Sequence, residues 1–397
     1  MDSAEREGLR PKGNVPNLRF PEFQGEWEKC QLSELCTFFS GGTPSSSNKD
    51  FYGGDIAFIR SGELHADNTE LFITQDGFDN SSTKMVEVGD LLLAMYGATS
   101  GDIAVSKIKG AINQAILCIR TNQNKKFIES VWNKHVSKIL RKYLQGGQGN
   151  LSADIVKSIS FSFPTLVEQE RIANLISLLD ERIVTQNKII DKLQSLIKGI
   201  NQNVFTNSGV SYKLIELCEI RSGYSGNQLS SKKGLKVSRI ETISGHKVNL
   251  ERVGYVAPFE SSENYKLQVG DILFSNINSV EYIGNTAFID KDYNLYHGMN
   301  LLRLIPNDVV VLPFYLYLLL NTNKMLNRFR TVCNKAVSQA SINQTELGKI
   351  VVQIPPRNTQ EQICELYQAL YTKLETEKYT KSLFQNQKQY MLRQMFI

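Results

Sequence analysis

One sequence unit is written twice along these 397 residues, and this constrains the fold more than any other feature. Leu32-Ser33-Glu34-Leu35-Cys36, with Ser40-Gly41 close behind, returns as Leu214-Ile215-Glu216-Leu217-Cys218 with Ser222-Gly223. Val88-Gly89-Asp90-Leu91-Leu92 returns as Val269-Gly270-Asp271-Ile272-Leu273. Pro164 with Gln169-Glu170-Arg171-Ile172 returns as Pro355 with Gln360-Glu361-Gln362-Ile363. The register is 182 (Leu32 to Leu214), then 181 (Val88 to Val269), then 191 from Pro164 onward. Solenoid units run to about 50 residues, so this is a duplicated domain.

After Pro164 the hydrophobic period changes. Ile172, Ile176, Leu179, Ile183, Gln186, Ile190, Leu193, Ile197, Ile200 and Val204 follow one another at alternating steps of four and three. That is a heptad seam with one polar interruption. It predicts a helix over 167–205, about 57 Å long at ~1.5 Å per residue, which is a rod. A second helix is expected from about Thr359, with a weaker seam through Ile363, Tyr367, Leu370, Leu374, Glu377, Lys381, Phe384, Met391 and Met395. Neither stripe can be buried alone. Pairing the two side by side, antiparallel as the pseudo-symmetry of the repeat requires, is the economical solution. Gln186 and Glu377 would then meet as a polar layer that fixes register, and the outer faces read as polar.

The expected fold is therefore mixed α/β. Two pseudo-twofold-related recognition domains are separated by two long helices forming an antiparallel coiled coil. The expected boundaries are a disordered leader over 1–17, a first domain over 18–166, a helix over 167–207, a second domain over 208–357 and a helix over 358–397. Short strands broken by glycine turns are expected at 55–60, 90–95 and 102–105, a helical stretch over 126–144, and a strand over 158–163.

Composition narrows the function classes. Apolar content of 41% and charged content of 21% are those of a globular protein. A net charge of +5 permits a nucleic-acid partner without requiring one. The six cysteines form no CxxC pair and Cys36 and Cys218 fall inside apolar runs, so buried thiols are expected and a zinc site is not. No export signal or membrane segment is expected, which places the chain in the cytoplasm. There is no GxxxxGK[ST] phosphate loop, no glycine-rich cofactor loop, no Gly-x-Ser-x-Gly elbow and no metal cluster. Pro355-Pro356 lies between Ile354 and Arg357, unlike the Asn- or Asp-Pro-Pro-aromatic tetrapeptide of adenine methyltransferases. The chain is expected to bind rather than to catalyse.

Two similar domains present two similar surfaces, the geometry that duplex DNA matches. The loops carry what DNA binding would use: glycine turns that expose backbone N–H groups to phosphate, and amides that can pair with adenine. In copy one these are Ser40, Gly41 and Thr43, then Tyr96 and Thr99, then Gln145, Gln148 and Asn150. In copy two they are Ser222, Tyr224 and Asn227, then Asn276, Asn278 and Tyr282, then Lys335, Ser338 and Gln339. Arg60 and Arg239 occupy matching positions and read as contacts to guanine or phosphate, or as surface ion-pair partners. Any single loop also reads as an ordinary polar turn. The frames match and the tips differ, as two scaffolds reading two short sequences would.

Taken together, the two copies, the Pro-x4-Gln-Glu-x-Ile entry to a long helix after each, and the Val-Gly-Asp-Ile/Leu-Leu signature in each resemble the DNA-specificity subunits of type I restriction-modification systems. The opening Asn17-Leu18-Arg19-Phe20-Pro21-Glu22-Phe23 with Gly25-Glu26-Trp27 is also characteristic of that family. The resemblance implies one half of a split DNA sequence per domain, with the helices as a ruler. It implies two methyltransferase subunits and optionally two motor-nuclease subunits as partners, which use S-adenosylmethionine, ATP and Mg; this chain would bind no cofactor. Copy two departs from copy one over 276–284, where Ser-Asn-Ile-Asn-Ser stands against Gly-x-Thr-Ser-Gly. Alternatives of other classes are an unrecognised fused nuclease or methyltransferase, and a protein-binding scaffold.

Overall fold

The computed structural model describes residues 13–143, 151–205, 209–335 and 339–397. The chain forms two compact units, Met1–Asn187 with Tyr379–Ile397, and Lys188–Lys378. Each long helix therefore begins in one unit and ends in the other.

Each unit is built on a four-stranded antiparallel sheet of the same order. In the first the strands run Cys36–Ser40, Ile116–Thr121, Leu91–Ala94, Ile103–Val105; in the second, Cys218–Ser222, Leu302–Pro306, Ile272–Phe274, Thr286–Phe288. Apolar residues line both faces, because both are covered. Leu91, Leu93, Leu117 and Ile119 pack under the helix Lys125–Tyr143, in one core with Phe127 and Trp132. Leu92, Ala94, Ile116 and Cys118 face a second core with Ile59 and Val86. The alternation is the period of two that a strand imposes. Ile272 and Phe274 against Leu273 repeat it in the second unit.

The Val-Gly-Asp signature makes the turn into the central strand. Gly89 and Gly270 have φ of 91° and 98°, a region that glycine enters without penalty. Asp90 accepts from the Glu87 N–H at 3.0 Å, and Asp271 from the Gln268 N–H at 2.6 Å. Each carboxylate also pairs with an arginine at 2.7 Å, Asp90 with Arg120 and Asp271 with Arg303. The arginines come from different places. Leu91 pairs with Ile119 and Ile272 with Leu304, so Arg303 stands where copy one has Cys118, two positions before Arg120. Asp90 is held below its ordinary range: burial pushes it up, but the Arg120 guanidinium and the Glu87 N–H outweigh that push. At the deeper Asp271, burial prevails and raises the carboxyl.

A two-stranded ladder precedes each long helix, Glu28–Gln31 with Ser160–Phe163 and Val210–Lys213 with Val351–Ile354. The helices span Leu166–Asn203 and Arg357–Met395, each starting one or two residues before the expected point. Within the first unit they run antiparallel: Asp180 pairs with Lys388, and Arg182 lies over the Phe384 ring at 5.7 Å. Within the second unit Ile190 and Ile197 share a core with Ile363, Tyr367 and Leu374. Gln186 and Glu377 are both buried. The expectation of polar outer faces is corrected. Leu178, Val184, Leu196, Leu383 and Tyr390 are exposed, which the seam residues alone did not reveal.

Residues 1–12 of the expected disordered leader lie outside the described residues. Asn14, within that leader, accepts at its side-chain oxygen from Ser162 Oγ (2.9 Å) and at its backbone oxygen from the Trp27 N–H (2.8 Å). The opening motif is an anchor: Glu168, 1% exposed, takes two bonds from Arg19 at 2.7 Å and one from Trp27 Nε1 at 3.3 Å. Among the described residues no helix is long and apolar enough to cross a membrane, and no cluster of His, Cys, Asp and Glu could hold a metal.

Candidate nucleic-acid interface

The first and second expected loops leave from one end of each sheet. In the first unit Ser40 pairs with Leu117 and Ala94 with Ile116, so the first and second loops leave the sheet side by side. The segment 112–115 lies between them, taking the Gly42 N–H on Ile112 O (3.2 Å) and the Met95 N–H on Ala115 O (2.7 Å). The third loop is tied in by its far end, the Leu151 N–H on Met95 O at 3.1 Å. Copy two makes the same bond, Ile342 N–H to Asn276 O at 2.9 Å. It also builds a small sheet from Ile277–Asn278, Ala340–Ser341 and Asn334–Lys335. In the second unit the described parts of the second and third loops thus share one sheet.

Ser40, Thr43, Ser222, Asn227, Lys335 and Gln339 are exposed, and Tyr282 is 50% exposed. Tyr96 and Thr99 are half-buried. Gln145, Gln148, Asn150 and Ser338 lie outside the described residues. The helix leading into 144–150 ends on Arg141 and Lys142, and the one before Lys335 ends on Arg330, so basic side chains flank the third loop in both units.

Several expected contacts are otherwise engaged. A Cβ on Gly41 would stand 1.8 Å from Ile112 O, and one on Gly223 1.9 Å from Gly298 O. The repeated Ser-Gly is therefore required by backbone packing. Tyr224 stacks on Phe259 at 3.9 Å with Tyr265 edge-on, which occupies the ring. Asn278 donates to Ser275 Oγ and accepts from the Ser279 N–H, leaving little for a base edge. The Asn276 amide oxygen is buried without a partner. Arg60 and Arg239 each follow a strand and cap a short 3-10 turn. Arg60 is bound by Glu63 at 2.8 Å and Glu70 at 3.6 Å; Arg239 is 3.8 Å from Glu241. The Arg60 hydrogen bond, with N–H donors of Arg60 and Glu70, holds the Glu63 carboxyl down at about 2.

The departure at 276–284 proves shallow. Gly101 (φ 87°) bonds to Ala94 O at 2.8 Å and Gly284 (φ 83°) to Ser275 O at 2.9 Å. The glycine survives in a loop two residues longer, each loop leaning on its helix through Val136 or Phe329. Arg221 and Arg303 belong to no motif, yet they face each other across adjacent strands, where copy one has Phe39 and Cys118. Comparing the copies strand by strand was the signal that could have found them.

Comparison with known proteins agrees with this duplication. The type I restriction modification DNA specificity domain matches residues 24–195 and again 209–383. A putative type I restriction enzyme MjaX specificity subunit of Methanocaldococcus jannaschii is 43% identical over 150 residues, which cover 37% of this chain and 35% of that relative. The MjaVIII specificity subunit of the same organism is 22% identical over 94% of this chain and 91% of its own. The EcoR124I/EcoR124II specificity subunit of Escherichia coli is 28% identical over 41% of this chain and 43% of its own. Among solved structures, the type I restriction-modification S subunit from M. genitalium superposes with a TM-score of 0.62 at 15% identity, covering 96% of this chain and 99% of that one. A chain from a study of type I R-M complex assembly and conformational transition gives 0.60 at 18% identity, covering 92% and 96%.

Proposed function

This chain belongs to the type I restriction modification DNA specificity family, and from that premise we propose that each of its two recognition domains reads one half of a split DNA sequence. It is a specificity subunit with two target-recognition domains, and the proposal assigns the reading surface to the loops at the end of each four-stranded sheet. One observation carries it: the frame of those loops is the same in both units down to single hydrogen bonds (Leu151 to Met95, Ile342 to Asn276), while the residues on the tips differ. A shared frame with divergent tips is what two different half-sites require. Backbone N–H groups and the flanking Arg141, Lys142 and Arg330 would position the duplex, and the exposed tips would specify bases.

In this reading the chain is not catalytic and works in the cytoplasm. Two methyltransferase subunits, and optionally two motor-nuclease subunits, would supply S-adenosylmethionine, ATP, Mg and the chemistry. The exposed Leu178, Val184, Leu383 and Tyr390 of the first unit and Leu196 of the second leave apolar side chains on the long helices that a protein partner could cover. Methylome sequencing of cells with and without this chain tests the reading. A split adenine-methylation motif that vanishes with the chain is expected; a methylome indifferent to the chain would sink it.

A further inference from the structure

In the second unit Arg221 and Arg303 stand directly opposite each other on neighbouring antiparallel strands. Like charges so placed repel, and the sheet supplies a carboxylate for each. Glu219 takes Nε and Nη2 of Arg221 at 2.6 and 2.9 Å, and Asp271 takes Nη2 of Arg303 at 2.7 Å. The charges are balanced, but the donors are not used up. Arg303 is 5% exposed, its Nη1 makes only a long bond to Asn264 O at 3.4 Å, and its Nε has no acceptor. Buried donors are nearly always paired. Beside them opens a cavity of about 390 Å³, lined by both arginines with Ser222, Ser261, Tyr265 and Gln344, and by no carboxylate. Copy one has Phe39 opposite Cys118 at these positions, so the cavity's two arginines belong to copy two alone.

We propose that this cavity seats a backbone phosphate of the DNA half-site read by the second unit. The proposal rests on the DNA-reading function above and adds the ligand group and the residues that hold it. Arg221, about half exposed, leaves Glu219 for a phosphate oxygen; a surface ion pair is cheap to exchange. Arg303 lies too deep to reach a base edge in a groove, whereas phosphates are the outermost groups of a duplex and match the guanidinium fork. Ser222, at the strand end, also lines the cavity.

The test uses the full chain assembled with its methyltransferase partners, on duplexes carrying its methylation motif. Replacing Arg221 by Ala should weaken binding several-fold and lower the slope of log affinity against log salt by about 0.9, one phosphate's worth. Arg221→Lys should keep the slope, and the methylated motif should stay unchanged in both. A neutral methylphosphonate at one position of the second half-site should weaken the wild type but not Arg221→Ala any further. An unaltered slope and methylphosphonate profile in Arg221→Ala overturns the proposal. So does a changed base in the motif, which would make Arg221 a base reader. Inorganic phosphate that protects only the wild type from unfolding, with the DNA slope unaltered, would also overturn it by marking a free-anion site. A wild-type complex without salt-dependent preference for the motif would instead show that the DNA-reading function itself fails.

Discussion

Gln360 does in the second unit what Gln169 does in the first. Each is 1% exposed and donates to the carbonyl of the proline five residues before it, at 3.0 Å to Pro355 and 2.9 Å to Pro164. Each also accepts a backbone N–H at the start of a domain helix, from Leu312 at 2.8 Å and Asn124 at 3.1 Å. The repeated glutamine therefore fastens each long helix to the domain before it.

Replacing Gln169 by Leu keeps the volume and strands the Asn124 N–H. A buried unsatisfied donor costs about 1–3 kcal/mol, so the melting temperature should fall by several degrees in calorimetry. Gln360→Leu should behave alike. A change under about one degree in both would show that the glutamine does not fasten the helix.

Acid should reveal Glu63. Its folded pKa, about 2, lies below the unfolded value of 4.5, chiefly through the Arg60 hydrogen bond. Its contribution is therefore complete above pH 4.5 and lost as pH falls toward 2. Denaturant titrations at stepped pH should show wild type more stable than Glu63→Gln at pH 6, with the gap closing between pH 4.5 and 2. A gap constant across that window would exclude the ion pair as its source.

Exchanging residues 145–150 should change one half of the methylated sequence and leave the other readable, because the frame that carries this loop is complete within the first unit. Methylome sequencing of the exchanged chain decides it. Alteration of both halves would contradict the modular assignment.

A heptad inserted after Gln186, with another after Glu377, preserves the four-three seam and lengthens each helix by about 10.5 Å. If the helices set the gap between half-sites, the unread stretch of the motif should grow by about three base pairs at ~3.4 Å each, with both halves unchanged. An unchanged gap in a chain that still supports methylation would rule the helices out as the spacer.

What was legible in the sequence is what local physics repeats. The seam from Ile172 to Val204 is legible because burial recurs at a helical period, and Gly89 and Gly270 because their turns demand a positive φ. The Arg19–Glu168 pair spans 149 residues and leaves no periodic trace. Gly284 was hidden by two extra residues in its loop. Arg60 and Tyr224 looked free to bind because their partners Glu63 and Phe259 satisfy them only once the chain is folded.

The two answers to one buried carboxylate, Arg120 for Asp90 and Arg303 for Asp271, set the grain along which such a chain can be recombined. A crossover that carried the strand Ile116–Thr121 into the second unit would bring Arg120 for Asp271 but set Cys118 against Arg221; the reverse exchange would bring Arg303 for Asp90 but set it against Phe39. The two paired strands must be inherited together, while the tips beyond them are free to be traded. New specificities should therefore arise by shuffling whole domains or bare loop tips, and chimaeras cut between the two paired strands should be the ones that fail to fold.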